Sequence, residues 1–488
     1  MVISVKNITS FNVTKGVFWQ LVVIMTFLMQ LLLFYLSGIN QFEVDVLKYE
    51  LCIAYLLILT YSYRKYGAFN LYVLFLFTMF IFIYARVFLD LMDVKDIGEG
   101  EYMDPVYFSL DIQFELFSLL IMSLLCIHLG HSYCTPDDAK ESFSYEYSPT
   151  LEWWSLFFFA LSLPGTLYKY MLELKVILAN GYLALFDGTL ATITYPVWTA
   201  GSGTVFISSY AVFLSSRPSK KKFLLVSAVF FLLNFLNMLK GSRSKIFVPL
   251  LFLLWLYFTF YKAKPTLRFW KLALFGSLSV IFSQWMVVHR MGSDVIVLSE
   301  VLKLFLIQQG FSILILGYMI YYKHIFINQS LPYIFGPLML WGMGSGQSFE
   351  TVQQTHLLSH KLTYFLNPSH YLNGAGVGAS FLGEFYDLGI VAFILLSLFA
   401  GYLIAHVVSY IKRKRIFFVF AFFWVQAIIY MPRNSFFPML IEVLPCIIFY
   451  LLVCKLAKHV GILKVKLYTY LKSATIIQYT IKGRFMSR

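Results

Sequence analysis

The chain has 488 residues, of which 60% are hydrophobic and only 13% charged, and its formal net charge at pH 7 is +14. A soluble globular domain carries about 45 to 50% apolar and about 25% charged residues, so the composition excludes a soluble enzyme and points to an integral membrane protein. It also excludes nucleic-acid binding, which needs a basic soluble surface; in a membrane protein the positive charge collects in cytoplasmic loops and tails.

The first predicted element is the apolar run 17–37, preceded by Lys6 and Lys15. It is long enough to cross a hydrocarbon core and lacks a small-residue cleavage site, so it reads as a retained helix rather than a signal peptide. Further apolar runs at 50–63, 68–89, 113–130, 153–171, 197–215, 223–239, 246–261, 270–288, 386–409, 416–430 and 437–454 predict helices that satisfy their backbones internally.

Cations collect at Arg64/Lys65, at Arg217 with Lys220 to Lys222, at Lys262/Lys264/Arg268, at Lys412 to Arg415, and from Lys455 to Arg488. Placing these inside makes both termini cytoplasmic. Loop 90–111 then lies outside, with Asp90, Asp93, Asp96, Glu99, Glu101, Asp104 and Asp111 against Lys95 alone. Loop 131–149 is placed inside although it holds Asp137, Asp138 and Glu141 with Lys140 in support.

Residues 289–385 form an outer-face region with two intermediate apolar stretches, 301–322 and 331–344. Both crossing, or both re-entrant or lying along the surface, satisfies the flanking charges. The expected fold is therefore an all-α polytopic membrane protein, one integral domain over 1–488 with about 12 to 14 transmembrane helices. The five cysteines lie in or beside apolar runs with no spacing that suggests disulfides or zinc.

This topology brings three arginines to outer helix ends: Arg243 in KGSRSK, between Lys240 and Lys245, Arg290 in WMVVHRMGS, and Arg433 in YMPRNSFFP. A guanidinium fork matches phosphate oxygens and keeps its charge, which suits a phosphate-bearing lipid. Each arginine taken alone also fits snorkelling at a helix end. The stretch NPSHYLNGAGVGASFLGEFYDLG (367–389) adds His370, closely spaced glycines and Glu384. A carboxylate at such a boundary needs a cavity or a cation, whereas GAGVGASF also reads as a small-residue packing surface. His356, His360 and His370, without a nearby acidic ligand set, do not make a metal site.

GYLALFDG (181–188), KGSRSK (240–245), LIQQGFS (306–312) and GVGASFLGEFYDLGIVAFILLSLFAGY (376–402) together resemble the bacterial O-antigen polymerase (Wzy) family, the oligosaccharide repeat unit polymerases. The resemblance runs in order from about residue 150 to 435. It implies a GT-C-like, metal-independent glycosyltransferase without cofactor, in the cytoplasmic (inner) membrane of a bacterium. Such an enzyme joins undecaprenyl-diphosphate-linked oligosaccharides on the outer face, alongside a flippase and a chain-length regulator of the same pathway. Carried onto this chain, it implies diphosphate contact by Arg243 and Arg290, with Lys240 and Lys245 beside them and Arg433 as a third contact. His370 or Glu384 would supply the base, His370 by analogy with the O-antigen ligases. A flippase or exporter would instead carry charges at helix centres and an internal repeat. An O-antigen ligase shares the same expected topology.

Overall fold

The computed structural model describes residues 15–95, 97, 107–133, 143–180, 193–239, 244–261, 298–327, 330–339, 347–374 and 376–459. All regular structure among them is helical. The helices are α1 (Lys15–Ser37), α2 (Gln41–Tyr66), α3 (Leu71–Leu91), α4 (Leu110–Tyr133), α5 (Pro149–Asn180), α6 (Ser202–Ser215), α7 (Lys220–Leu239) and α8 (Ser244–Phe260). They continue with α9 (Leu298–Gln309), α10 (Ser312–Tyr321), α11 (Phe349–Gln354), α12 (Leu358–Leu366), α13 (Pro368–Leu372), α14 (Phe381–Tyr386), α15 (Ile390–Arg413), α16 (Arg415–Tyr430) and α17 (Leu440–His459).

Among the described residues, seven helices are long and apolar enough to cross a membrane: α1, α3, α4, α6 with the turn before it, α15, α16 and α17. Counting the bent pair α9–α10 as one span makes eight. The predicted runs 50–63, 153–171, 223–239 and 246–261 are all helical, within α2, α5, α7 and α8. They stand outside that count of the described residues: α2 carries Glu43, Asp45, Lys48 and Glu50 in its first half, α5 carries Lys169, Glu173 and Lys175, α7 opens on three lysines and is apolar thereafter, and α8 has 17 residues. The predicted run 270–288 lies outside the described residues. Of the two intermediate stretches, 301–322 is the pair α9–α10, bent by 41° at its break. The described part of 331–344 is a six-residue 3-10 helix, Tyr333–Leu338, too short to cross.

Among the described residues, the helices alternate so that the cationic clusters at 64–65, 217–222 and 412–415 share one end. Ser144 N–H donates to Lys412 O at 2.9 Å, the Tyr145 hydroxyl to Ile411 O at 3.0 Å, and Arg217 Nη1 to Tyr145 O at 2.7 Å. Tyr261 OH reaches Pro218 O at 2.9 Å, while Tyr66 meets His131 and Phe69 stacks on Phe258. The described part of the 131–149 loop thus belongs with its basic neighbours, because backbone and aromatic contacts hold it there whatever its own acids.

Close approach of α4 and α15 makes the centre. A side-chain carbon at Gly130 would lie 2.0 Å from Leu398 O, and one at Gly401 2.0 Å from Ile127 O. Two backbones meet where small residues let them, as in other membrane bundles. α3 lies in the same core, with Tyr72, Phe75 and Met79 fully buried, and is interrupted by one π-helical stretch, Phe80–Tyr84. An extra residue in a turn rotates everything beyond it and often marks a functional site. Here it re-aims Arg86.

Candidate functional site

At the end opposite the cationic loops, four elements converge: the end of α3, the break between α9 and α10, α14, and the 3-10 turn Met431–Arg433 after α16. Each arrives by ordinary local chemistry. Gly389, at φ +84, breaks the helix between α14 and α15, a conformation glycine adopts freely. Pro432 closes α16, having no N–H to continue it.

Glu384 on α14 is fully buried, and its Oε2 accepts the Phe436 N–H at 2.9 Å. Its Oε1 has no hydrogen-bond partner among the described residues. Burial pushes the Glu384 carboxyl up to about 7; bonds from Ser435 and Phe436 oppose the shift and the nearby Asp387 charge adds to it. Asp387, 2% exposed, accepts the Tyr333 N–H at 2.8 Å through Oδ2. Burial raises it to about 6 against that bond. One turn of chain thus carries two carboxyl groups that burial holds above the ordinary carboxylate range, one bracing the 434–436 turn and the other the 333–338 segment.

Arg433 stands on the turn that Glu384 braces. Its Nη1 donates to Gln309 O at 3.2 Å, and its guanidinium lies 5.8 Å from the Phe82 ring centre. Of the residues expected in the site, the structure therefore brings Glu384 and Arg433 together. His370 sits elsewhere, on α13, its N–H capped by Asn367 Oδ1 at 2.8 Å. α13 packs on α12, where the His360 ring meets the Tyr371 hydroxyl at 2.6 Å. Thr363 Oγ1 on α12 accepts the Val377 N–H at 3.1 Å, tying this outer layer to the strand of chain that leads into α14. Lys240, Arg243 and Arg290 lie outside the described residues, and Lys245 is described only as part of the first turn of α8.

The sequence reading missed Arg86. It is 1% exposed, one helical turn before Asp90, which pairs with Lys48 at 2.6 Å. The signal was available: an arginine in the apolar run LYVLFLFTMFIFIYARVFLDL is costly in a membrane and marks a functional position by default. Asp387 was equally visible, three residues after Glu384.

The fold is that of a multi-pass helical membrane protein, with Arg86, Glu384 and Asp387 buried toward one end of the bundle. Residues 17–461 match the family described as O-antigen polysaccharide polymerase Wzy, and the chain belongs to that family. No curated protein and no solved structure matches the chain at a significant level.

Proposed function

We propose that this chain joins oligosaccharide repeat units carried on undecaprenyl diphosphate into O-antigen or a related surface polysaccharide, on the outer face of a bacterial inner membrane. The membership in the polymerase family supports a glycosyltransferase-type polymerase. The single observation that supports the site is Arg433, fixed on Gln309 O and on the turn braced by Glu384, at the end opposite the cationic loops. With those loops cytoplasmic by the positive-inside rule, the site faces outward and the termini inward. The whole chain is then one integral domain of about 12 to 14 transmembrane helices in a GT-C-like arrangement, with 289–385 as its outer-face region.

In the reaction, the acceptor hydroxyl attacks the anomeric carbon of the donor glycan. The bond from that carbon to the diphosphate oxygen breaks, and the electron pair leaves on the diphosphate. Arg433, together with Arg243, Arg290, Lys240 and Lys245, stabilises the growing negative charge in a partly dry site, so no metal is needed. The hydroxyl proton passes to Glu384, whose raised affinity for protons suits a base working near neutral pH, or to His370. A flippase delivers the units and a chain-length regulator sets where extension stops.

The test is a surface-polysaccharide gel of a deletion strain complemented with wild type, Arg433→Ala or Arg243→Ala at matched protein levels. A polymerase predicts that deletion leaves one repeat unit where a ladder stood, restored by wild type and by neither variant. Loss of even the single unit would overturn the reading in favour of flipping or ligation.

A further inference from the structure

Arg433 and Arg86 meet adjacent residues at the α9–α10 break from different elements, the first through its guanidinium and the second through its backbone and Cβ. Arg433 donates to Gln309 O. At Gly310, a side-chain carbon would stand 2.8 Å from Leu306 O and 3.1 Å from Arg86 Cβ, so the absence of a side chain lets α3 pack closely on the break at Arg86. The π turn at Phe80–Tyr84 joins the two, because Phe82 lies under the Arg433 guanidinium and Arg86 follows one turn later.

The surroundings are polar where a membrane bundle is normally apolar. Ser312 Oγ and Gln308 Oε1 flank the break, and Ser380 Oγ and Glu384 Oε1 come from the neighbouring α14 region. All four are buried without a hydrogen-bond partner among the described residues. Buried polar atoms in a native protein are nearly always bonded, to protein, to water or to a ligand. Two guanidinium-bearing residues beside hydroxyl and carboxyl groups make donors and a proton carrier for a multivalent oxyanion.

We infer that the Gln308–Ser312 break is a diphosphate site, with Arg86 as a second arginine that binds the anion together with Arg433. This rests on the reading of the chain as a diphosphate-lipid enzyme and names a contact which that reading lacks. The bend is part of the device, since a straight helix through residues 308–312 would take the Gln309 carbonyl into its own ladder, whereas here it accepts from Arg433.

The experiment measures binding of farnesyl diphosphate, inorganic pyrophosphate and farnesol to the purified full chain in detergent, for wild type, Arg86→Gln, Arg86→Lys and Arg217→Gln. Arg217 lies at the cationic end and serves as the control. The expected result is that Arg86→Gln weakens farnesyl diphosphate at least about tenfold, Arg86→Lys recovers part of the loss, and Arg217→Gln matches wild type. Farnesol binding should not respond to Arg86. Pyrophosphate responding as farnesyl diphosphate does would make the site one for the free anion as well as the lipid headgroup. A folded Arg86→Gln that binds farnesyl diphosphate as wild type does would overturn the role of Arg86 and leave the polymerase reading intact. Wild type that binds neither diphosphate would overturn both. Should Arg86→Gln not fold, amide hydrogen exchange on wild type decides: slowing over residues 306–312 with farnesyl diphosphate is expected, and no change there overturns the inference.

Discussion

Glu384 and Phe436, 52 residues apart in the chain, are joined by a single hydrogen bond of 2.9 Å from the Phe436 N–H to the Glu384 carboxylate. That bond, with the Ser435 contact to the same carboxyl and the Phe385–Phe436 ring contact, sets the turn carrying Arg433 against α14. Glu384→Ala leaves a buried N–H without an acceptor and should cost about 1 to 3 kcal/mol of stability. Glu384→Gln keeps a carbonyl for that bond but cannot take a proton. It should fold as wild type and lose about 100-fold or more in polymer formation, read as a collapsed ladder at normal protein level. A full ladder from Glu384→Gln would leave Glu384 as a brace for Arg433 and pass the proton to His370.

Acid pH should stabilise the far end of the bundle. In the folded chain Glu384 holds its proton up to about 7 and Asp387 up to about 6, against 4.5 and 3.8 as ordinary values. The folded state therefore binds the extra protons between those limits, and stability falls as pH rises through the window. For Glu384 alone the difference amounts to about 3 kcal/mol. The melting temperature of the purified chain should drop between pH 4.5 and pH 7, and Glu384→Gln should flatten the slope. An unchanged slope in that variant would mean that other groups carry the dependence.

The Lys48–Asp90 pair, 2.6 Å apart with side chains 9% and 10% exposed, ties α2 to the end of α3 just beyond Arg86. Removing one partner leaves the other charge buried, so Lys48→Met should destabilise by about 3 kcal/mol or more. Adding Asp90→Leu should return most of that loss in a double-mutant cycle. Additive effects would show that the two charges do not depend on each other.

At the α4–α15 crossing, Gly130→Leu or Gly401→Leu drives a side chain into a backbone carbonyl. No rotamer change relieves such a clash, and the helices must separate, at a cost of about 3 kcal/mol or more. The variants should be scarce in the membrane and lose monodispersity on size exclusion. Gly203→Leu, with open space around it, should behave as wild type.

Orientation is read by adding single cysteines at Ser144, beside Lys412, and at Ser348, which caps α11. A membrane-impermeant maleimide applied to intact cells freed of their outer membrane should label Ser348→Cys and spare Ser144→Cys until the membrane is opened. The reverse pattern would invert the topology and with it the outer-face site.

Much of this architecture was written in the local sequence. A membrane helix satisfies its own backbone, so run length and composition alone marked the runs at 17–37, 68–89, 113–130 and 416–430, and the lysine and arginine clusters marked which ends go together. Arg433 and Glu384 could each be picked out as a charge at a helix boundary. What joined them was tertiary: a turn at 434–436 reaching a carboxylate on α14, and a guanidinium reaching the carbonyl at a helix break. Arg86 shows the difference most plainly. Its cost in an apolar run was visible, but its neighbour Gly310 lies far along the chain, and the π turn that aims it has no local signature in FIFIY. Contacts between helices depend on rotation and bend within the assembled bundle, which hydrophobic periodicity does not encode, and those contacts alone decided which charges share a site.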